Sequence, residues 1–423
     1  MKVFKFGGAS VNSADAVRNM ARIVQKHLEP ETLVVVVSAM GKTTNDLEGL
    51  AQYKYGGWMW QAIYDRVEQY HREIARSLMP DNETIQQHIG EMLSLITNIC
   101  RTRSPFDDAN DSIYAKVVSY GELLSTTIIA DYLNSLGIKC KWTNAQHYIL
   151  ASDCHFREAR VHWEQTLPAV QQMMSDANQY DVVLAQGFIA GFGTSHTPVV
   201  LGREGSDYSA AVLAYCLDAE SVTIWKDVPG FLNADPKYFK NTVKIRHIPY
   251  NEAIELAYYG ASVIHPKTVK PLQNKNIPLY IKSFLNPRLS GSVIGNYKNI
   301  SPRTPLYIFR NNQILLSVYP RDFSFIAEDN LEYIFGRLNC HGIRVNLMQN
   351  SALSFSICVD NDEQRIHLLT EDLSAKFQVR YNENLQLITI RYYTQEVIDS
   401  IVAGRPILLE QRSRSTEQII VPV

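Results

Sequence analysis

The sequence predicts an α/β domain on a mainly parallel sheet sandwiched by helices, followed by a smaller α+β piece. Three features predict it: apolar runs alternating with helical spacing over roughly the first 300 residues, the β-branched run Leu33–Val37, and a change of texture beyond residue 305. Val3–Phe6 reads as the first strand, stopped by Gly7-Gly8. Val17, Met20, Val24 and Leu28 then recur at helical spacing, with Asn12 or Ser13 placed to cap that helix. Leu33–Val37 has no polar residue, as a parallel strand covered on both faces requires. Residues 58–134 are mostly helical, and Trp58, Trp60, Tyr64 and Tyr70 read as helix packing rather than a ligand cage. Strands resume at Ile138–Trp142, Val182–Gln186, Val199–Leu201, Val222–Trp225 and Leu279–Ser283.

Residues 296–305 are polar, carry Pro302 and Pro305, and lack either periodicity, which marks a linker. The expected division is therefore 1–295, a linker over 296–305, and 306–423. In the last part Ile314–Val318, Ser354–Val359, Gln386–Ile390 and Gln418–Val421 read as strands. Helices are expected near Asn330–Leu338 and Gln395–Ile401.

Composition narrows the function classes. Forty-one basic against 43 acidic residues leave a net charge of −2, which argues against nucleic acid as a partner. Apolar runs such as Leu33–Val37 are far too short for a membrane helix, and the N-terminus shows neither an apolar h-region nor a cleavage site. The six cysteines form no C-x-x-C pair and read as buried thiols of a cytoplasmic protein. No histidine, cysteine or acidic spacing suggests a metal site.

Five stretches could carry chemistry. Lys5-Phe6-Gly7-Gly8-Ala9-Ser10 is a strand running into glycines before a helix. Backbone N–H groups there can approach an anion, with Lys5 adding a full charge; a plain Gly-Gly turn beside an exposed lysine is the alternative. Ser38-Ala39-Met40-Gly41-Lys42-Thr43-Thr44-Asn45 follows the buried strand, where α/β proteins bind ligands, although Thr44-Asn45 also suits a helix cap. Glu122, in Gly121-Glu122-Leu123-Leu124-Ser125, either pairs with a substrate ammonium or is a solvated helix-face glutamate. Gly202-Arg203-Glu204-Gly205-Ser206-Asp207-Tyr208 leads a charged turn into an Ala-rich helix; Arg203 can take a carboxylate through two parallel N–H···O bonds, and Asp207 can cap the helix, orient a lysine or help order a metal-bound nucleotide. Lys226-Asp227-Val228-Pro229-Gly230, continuing to Asn233-Ala234-Asp235-Pro236-Lys237, suits a nucleotide-binding edge or an ordinary loop.

In this order, and with Tyr259-Gly260-Ala261-Ser262-Val263-Ile264-His265-Pro266, the motifs resemble those of the aspartate kinases of the amino-acid kinase superfamily. The likeness spans residues 1 to about 295, and the remainder resembles the paired ACT-like (ferredoxin-like) regulatory domains of that family, tandem or interleaved. It implies transfer of the ATP γ-phosphoryl group to the side-chain carboxylate of L-aspartate, with Mg2+ accompanying ATP. By the resemblance Lys5 bridges the phosphates and Asp207 orients it. Gly7, Gly8, Ser10 and Ser38 hold the nucleotide, with Lys226, Asp227, Asp235 and Lys237 along its edge. Arg203, Ser206, Thr44 and Glu122 bind aspartate. A homo-oligomer joined through the ACT-like domains and an amino-acid effector are further implications.

Three positions depart from the family pattern: Ala9 and Lys226 stand where threonine is usual, and Ser262 where lysine is common. In the tail, Ile343–Leu353 corresponds to the stretch that holds lysine in sensitive relatives. Asn346 and Ala352 stand there in place of carboxylates, so weak lysine inhibition is expected. Two other readings remain at this level: another amino-acid kinase, or a catalytically silent amino-acid-sensing ACT protein.

Overall fold

A computed structural model describes residues 1–102, 110–261, 263–322 and 324–423. The chain forms two units, Met1–Phe231 with Lys244–Ala257 and Ser262–Pro302, and Leu232–Val243 with Tyr258–Ala261 and Arg303–Val423.

The first unit is built on an eight-stranded sheet ordered His247–Pro249, Ser292–Gly295, Leu279–Ser283, Ser221–Lys226, Lys2–Phe6, Leu33–Val37, Val182–Gln186, Cys140–Thr143. From Leu279–Ser283 to Cys140–Thr143 every pairing is parallel; Ser292–Gly295 runs antiparallel to its neighbour Leu279–Ser283. Lys5 sits in the middle, paired with Val36 on one side and Ile224 on the other. All five residues of Leu33–Val37 are buried, as helices on both faces demand. Trp225 stacks on Phe6 at 6.1 Å and meets Phe4 edge-on at 5.6 Å, which locks the two central strands together. Ser13 caps the helix Ala14–Lys26 by accepting from Ala16 N–H, and Trp60 stacks on Tyr64 at 5.2 Å within Trp58–Leu78. The helical region expected over 58–134 appears as Trp58–Leu78, Glu83–Arg101 and Asn110–Ser135, with 103–109 outside the described residues.

The second unit carries a six-stranded antiparallel sheet: Val345–Asn350, Phe355–Asp360, Leu306–Pro320, Phe377–Arg391, Thr416–Pro422, Leu409–Arg412. Two of these strands are 15 residues long. Their pairing slips between Arg310 and Leu315, where Asn312 and Asn384 take positive φ. Each long strand thereby serves two ferredoxin-like halves, the pattern of ACT-like domains. The first half is covered by Glu328–Cys340 and Glu363–Ser374 through Ile334, Leu338, Ile366 and Leu369. Its partner has one helix, Gln395–Val402, anchored by Ile398 and Val402. Beside that half, Phe239 stacks on Tyr307 at 4.8 Å and Tyr238 lies 5.0 Å from Phe309. Asn233 adds backbone support, its O accepting from Tyr307 N–H at 2.8 Å.

Within the expected linker over 296–305, Ser301 O accepts the N–H groups of Arg246 at 2.7 Å and His247 at 3.1 Å. One expectation needs correction. Cys154 and Cys340 are exposed rather than buried, Cys340 ending a surface helix; among the described residues all six cysteines are free thiols.

Candidate active site

The carboxyl ends of the central parallel strands open onto a cleft of about 460 Å³ in the first unit. Lys5 reaches it from the middle strand, with its side chain 9% exposed. The turn after it must be glycine: a Cβ on Gly8 would lie 2.8 Å from Ala39 O and 2.9 Å from Gly41 O. Two backbones therefore pack directly, and Gly41 N–H donates to Gly8 O at 3.1 Å. A Cβ at Gly7 would stand 3.5 Å from Lys5 Nζ, an ordinary contact.

Asp207 does not cap its helix. It lies fully buried in the first turn of Gly205–Cys216, where its carboxylate meets two lysines. Lys5 Nζ is 2.6 Å from Oδ1, and Lys226 Nζ is 3.4 Å from Oδ2. Burial alone would raise the Asp207 carboxyl, but the ammonium groups of Lys5 and then Lys226 hold it down at about 2. Lys226 ends the strand Ser221–Lys226 and also donates to Val263 O at 2.5 Å. Burial would lower its ammonium, but Asp207 and Glu204 raise it above the ordinary lysine value. Glu204 precedes the helix with φ 56° and ψ 25°, left-handed values that glycine adopts more readily.

Glu122 is buried on the helix Asn110–Ser135 and lines the same cleft. Its Oε1 accepts from Ala39 N–H at 3.2 Å, while Oε2 has no hydrogen-bond partner among the described residues. Burial pushes its carboxyl up to about 8, against a weaker opposing pull from Ala39 N–H and Lys5. A carboxyl raised in the folded state favours folding below its unfolded value near 4.5, and that contribution is lost as pH rises through about 8. The unliganded protein is therefore expected to lose more thermal stability between pH 5 and 9 than Glu122→Gln does. Parallel melting curves across that range check this; identical pH dependence in the two proteins would refute it.

Arg203, Ser206, Thr44 and Ser38 also line the cleft, as the sequence led us to expect. Arg203 is exposed at its wall, with no carboxylate partner among the described residues. The Ser10 hydroxyl is turned away, donating to Trp225 O at 3.2 Å. Asp227 is exposed outside the lining; Asp235 and Lys237 fall in the second unit, where Lys237 N–H donates to Asp235 Oδ1 at 2.9 Å. Ser262 lies outside the described residues. Four lining side chains, Glu48, Tyr114, Arg157 and Phe188, were not anticipated. Arg157 stacks over the Tyr114 ring at 3.8 Å and pairs with Asp111 at 2.5 Å, while Tyr114 O–H donates to Glu48 Oε1 at 2.7 Å. Their separations in sequence match no motif.

A cation, a glycine turn and a helix N-terminus at one cleft suit phosphate, and an unpaired buried carboxyl beside them suits an ammonium. Comparison with known proteins bears on which chemistry this is. The model of the amino acid kinase family matches residues 1–283. Lysine-sensitive aspartokinase 3 of Escherichia coli is 30% identical over 399 residues, covering 92% of this chain and 86% of that protein. The chain belongs to the aspartokinases of the amino acid kinase family. Chloroplastic aspartokinase 1 of Arabidopsis thaliana is also 30% identical, over 85% of this chain, which spans 63% of that protein's length. The crystal structure of E. coli aspartokinase III with aspartate and ADP superposes with a TM-score of 0.85 at 27% identity, covering 100% of this aspartokinase chain and 96% of that one. The lysine- and aspartate-bound form of the same protein gives 0.82 at 28%. No helix among the described residues of this aspartokinase is long and apolar enough to cross a membrane.

Proposed function

We propose that this aspartokinase transfers the γ-phosphoryl group of ATP to the side-chain carboxylate of L-aspartate, giving 4-phospho-L-aspartate and ADP. One observation carries the reading: the Lys5 ammonium and the unpaired Oε2 of Glu122 belong to one cleft, a cation for phosphoryl oxygens and an acid for the amino group. Phosphoryl transfer asks little covalent chemistry of a protein and much positioning and positive charge. Lys5, fixed by Asp207, meets the charge that grows on the transferring group. The Gly7-Gly8 turn and Ser38 hold the phosphates, and Lys226 and Asp227 follow the nucleotide. Glu122 takes the substrate ammonium and gives up its proton as it does so. Arg203 grips a carboxylate, with Thr44 and Ser206 supplying hydroxyls.

Mg2+ accompanies ATP on the nucleotide's own phosphates, and no step here runs through it. The protein works in the cytoplasm as a homo-oligomer paired through its ACT-like halves, under control of an amino-acid effector. Aspartate- and ATP-dependent hydroxamate formation by the purified protein tests the activity, and a product with another acid but not aspartate would overturn it. Arg203→Lys keeps the charge but loses the planar fork, so it is expected to raise the KM for aspartate about tenfold with little change in kcat. A shift confined to the KM for ATP would reassign Arg203 to the nucleotide.

A further inference from the structure

Glu204 holds a backbone conformation that a glutamate adopts only under constraint, with φ 56°. Its side chain makes no cap bond to the helix it precedes, and its carboxyl shares a hydrogen bond with that of Asp207. What the carboxylate does meet is charge: Oε2 lies 3.9 Å from Lys226 Nζ, the same ammonium that stands 3.4 Å from Asp207 Oδ2. Glu204 lines the cleft with Lys5, Gly8 and Ser206, and its side chain is 32% exposed. Two lysines thus face one committed carboxylate, Asp207, at the N-terminus of a 12-residue helix. Beyond Asp207, the anions that act on Lys226 are Glu204 and, less strongly, Asp227.

We propose that Glu204 is an internal counter-anion, holding Lys226 in the empty site and competing with the nucleotide phosphates for it. This rests on the kinase reading only in placing phosphate beside Lys5 and Lys226. Burial and the nearby Asp207 raise the Glu204 carboxyl while Lys226 opposes them, as suits an acid held at a site where its charge is readily given up. Glu204 is a positioning residue here: it sets where Lys226 points and how tightly nucleotide is held.

The test is calorimetric titration of the full chain with a non-hydrolysable ATP analogue and Mg2+, without any acyl acceptor. Glu204→Gln is expected to bind the analogue roughly three- to tenfold more tightly than wild type, the scale of one partly exposed ion pair. Glu204→Gly, which also removes the backbone constraint, is expected to do the same. With Lys226→Met already in place, Glu204→Gln is expected to change nothing further. Unchanged or weaker binding by both Glu204 variants overturns the proposal, as does an equal gain in the Lys226→Met background. The kinase reading fails separately, when a wild type that binds the analogue makes no aspartyl hydroxamate.

Discussion

Lys5→Ala is expected to leave a folded protein whose turnover falls roughly 100- to 1000-fold, the range seen when one preorganised donor to developing charge is removed. The large effect follows from position. Lys5 lies on the central strand, is almost fully buried, and is fixed at 2.6 Å from a carboxylate that cannot move away from its helix. Its ammonium is therefore already in place when charge builds on the phosphoryl group, with no reorganisation left to perform. Folding should survive because Asp207 is not abandoned: Lys226 remains 3.4 Å from its second oxygen. Removing the only partner of a buried ion would typically cost about 3–5 kcal/mol, and the second lysine limits that loss. Steady-state kinetics beside a thermal melt check both halves. Near-normal kcat in a folded variant would sink the phosphoryl assignment.

Lysine is expected to inhibit two to four orders of magnitude more weakly than it does a sensitive aspartokinase. The stretch Ile343–Leu353 contains no Asp or Glu to receive an ammonium. Asn346, which stands where a carboxylate would, is already engaged, since its Nδ2 donates to Gln313 Oε1 at 2.8 Å and Asp360 Oδ1 at 3.0 Å. Asn346 Oδ1 in turn accepts from Arg310 at 3.0 Å, and Ala352 offers only a backbone O, used by Ile326 N–H. Two lost charge-assisted bonds, at about 1.5–3 kcal/mol each, give the stated factor. Titrating the kinase assay separately with lysine and threonine tests this, and half-maximal inhibition by submillimolar lysine would show the reading to be mistaken.

The sequence foretold what hydrophobic patterning controls. Leu33–Val37, Val182–Gln186 and Leu279–Ser283 are strands with the bounds read from their apolar runs. Where polar residues interrupt a strand, the pattern hides it. Ile314–Val318 is only the middle of Leu306–Pro320, because Arg310-Asn311-Asn312-Gln313 breaks the run at the irregular pairing. Val345–Asn350 was missed altogether, an edge strand whose Gln349 and Asn350 face solvent. The site divides the same way. Lys5, Gly8, Glu122 and Arg203 were named from motifs that keep their spacing. The Arg157–Asp111 pair spans 46 residues and has no local signature. The left-handed Glu204 contradicts its own propensity, so only coordinates reveal it.

The boundary between the two units has a practical consequence for anyone who would exchange regulatory modules among such enzymes. A cut at Pro302 looks natural in the primary structure, yet the chain passes from one unit to the other five times. Residues 232–243 belong with a sheet whose strands begin more than 60 positions later. A fragment ending at Pro302 would strand Tyr238 and Phe239 without the rings of Tyr307 and Phe309, and an isolated tail would lose the same cover. A chimera that respects packing must carry the donor's Leu232–Val243 and Tyr258–Ala261 along with everything from Arg303 onward. Regulation in this architecture is thus inherited as a woven set of segments, not as a detachable tail.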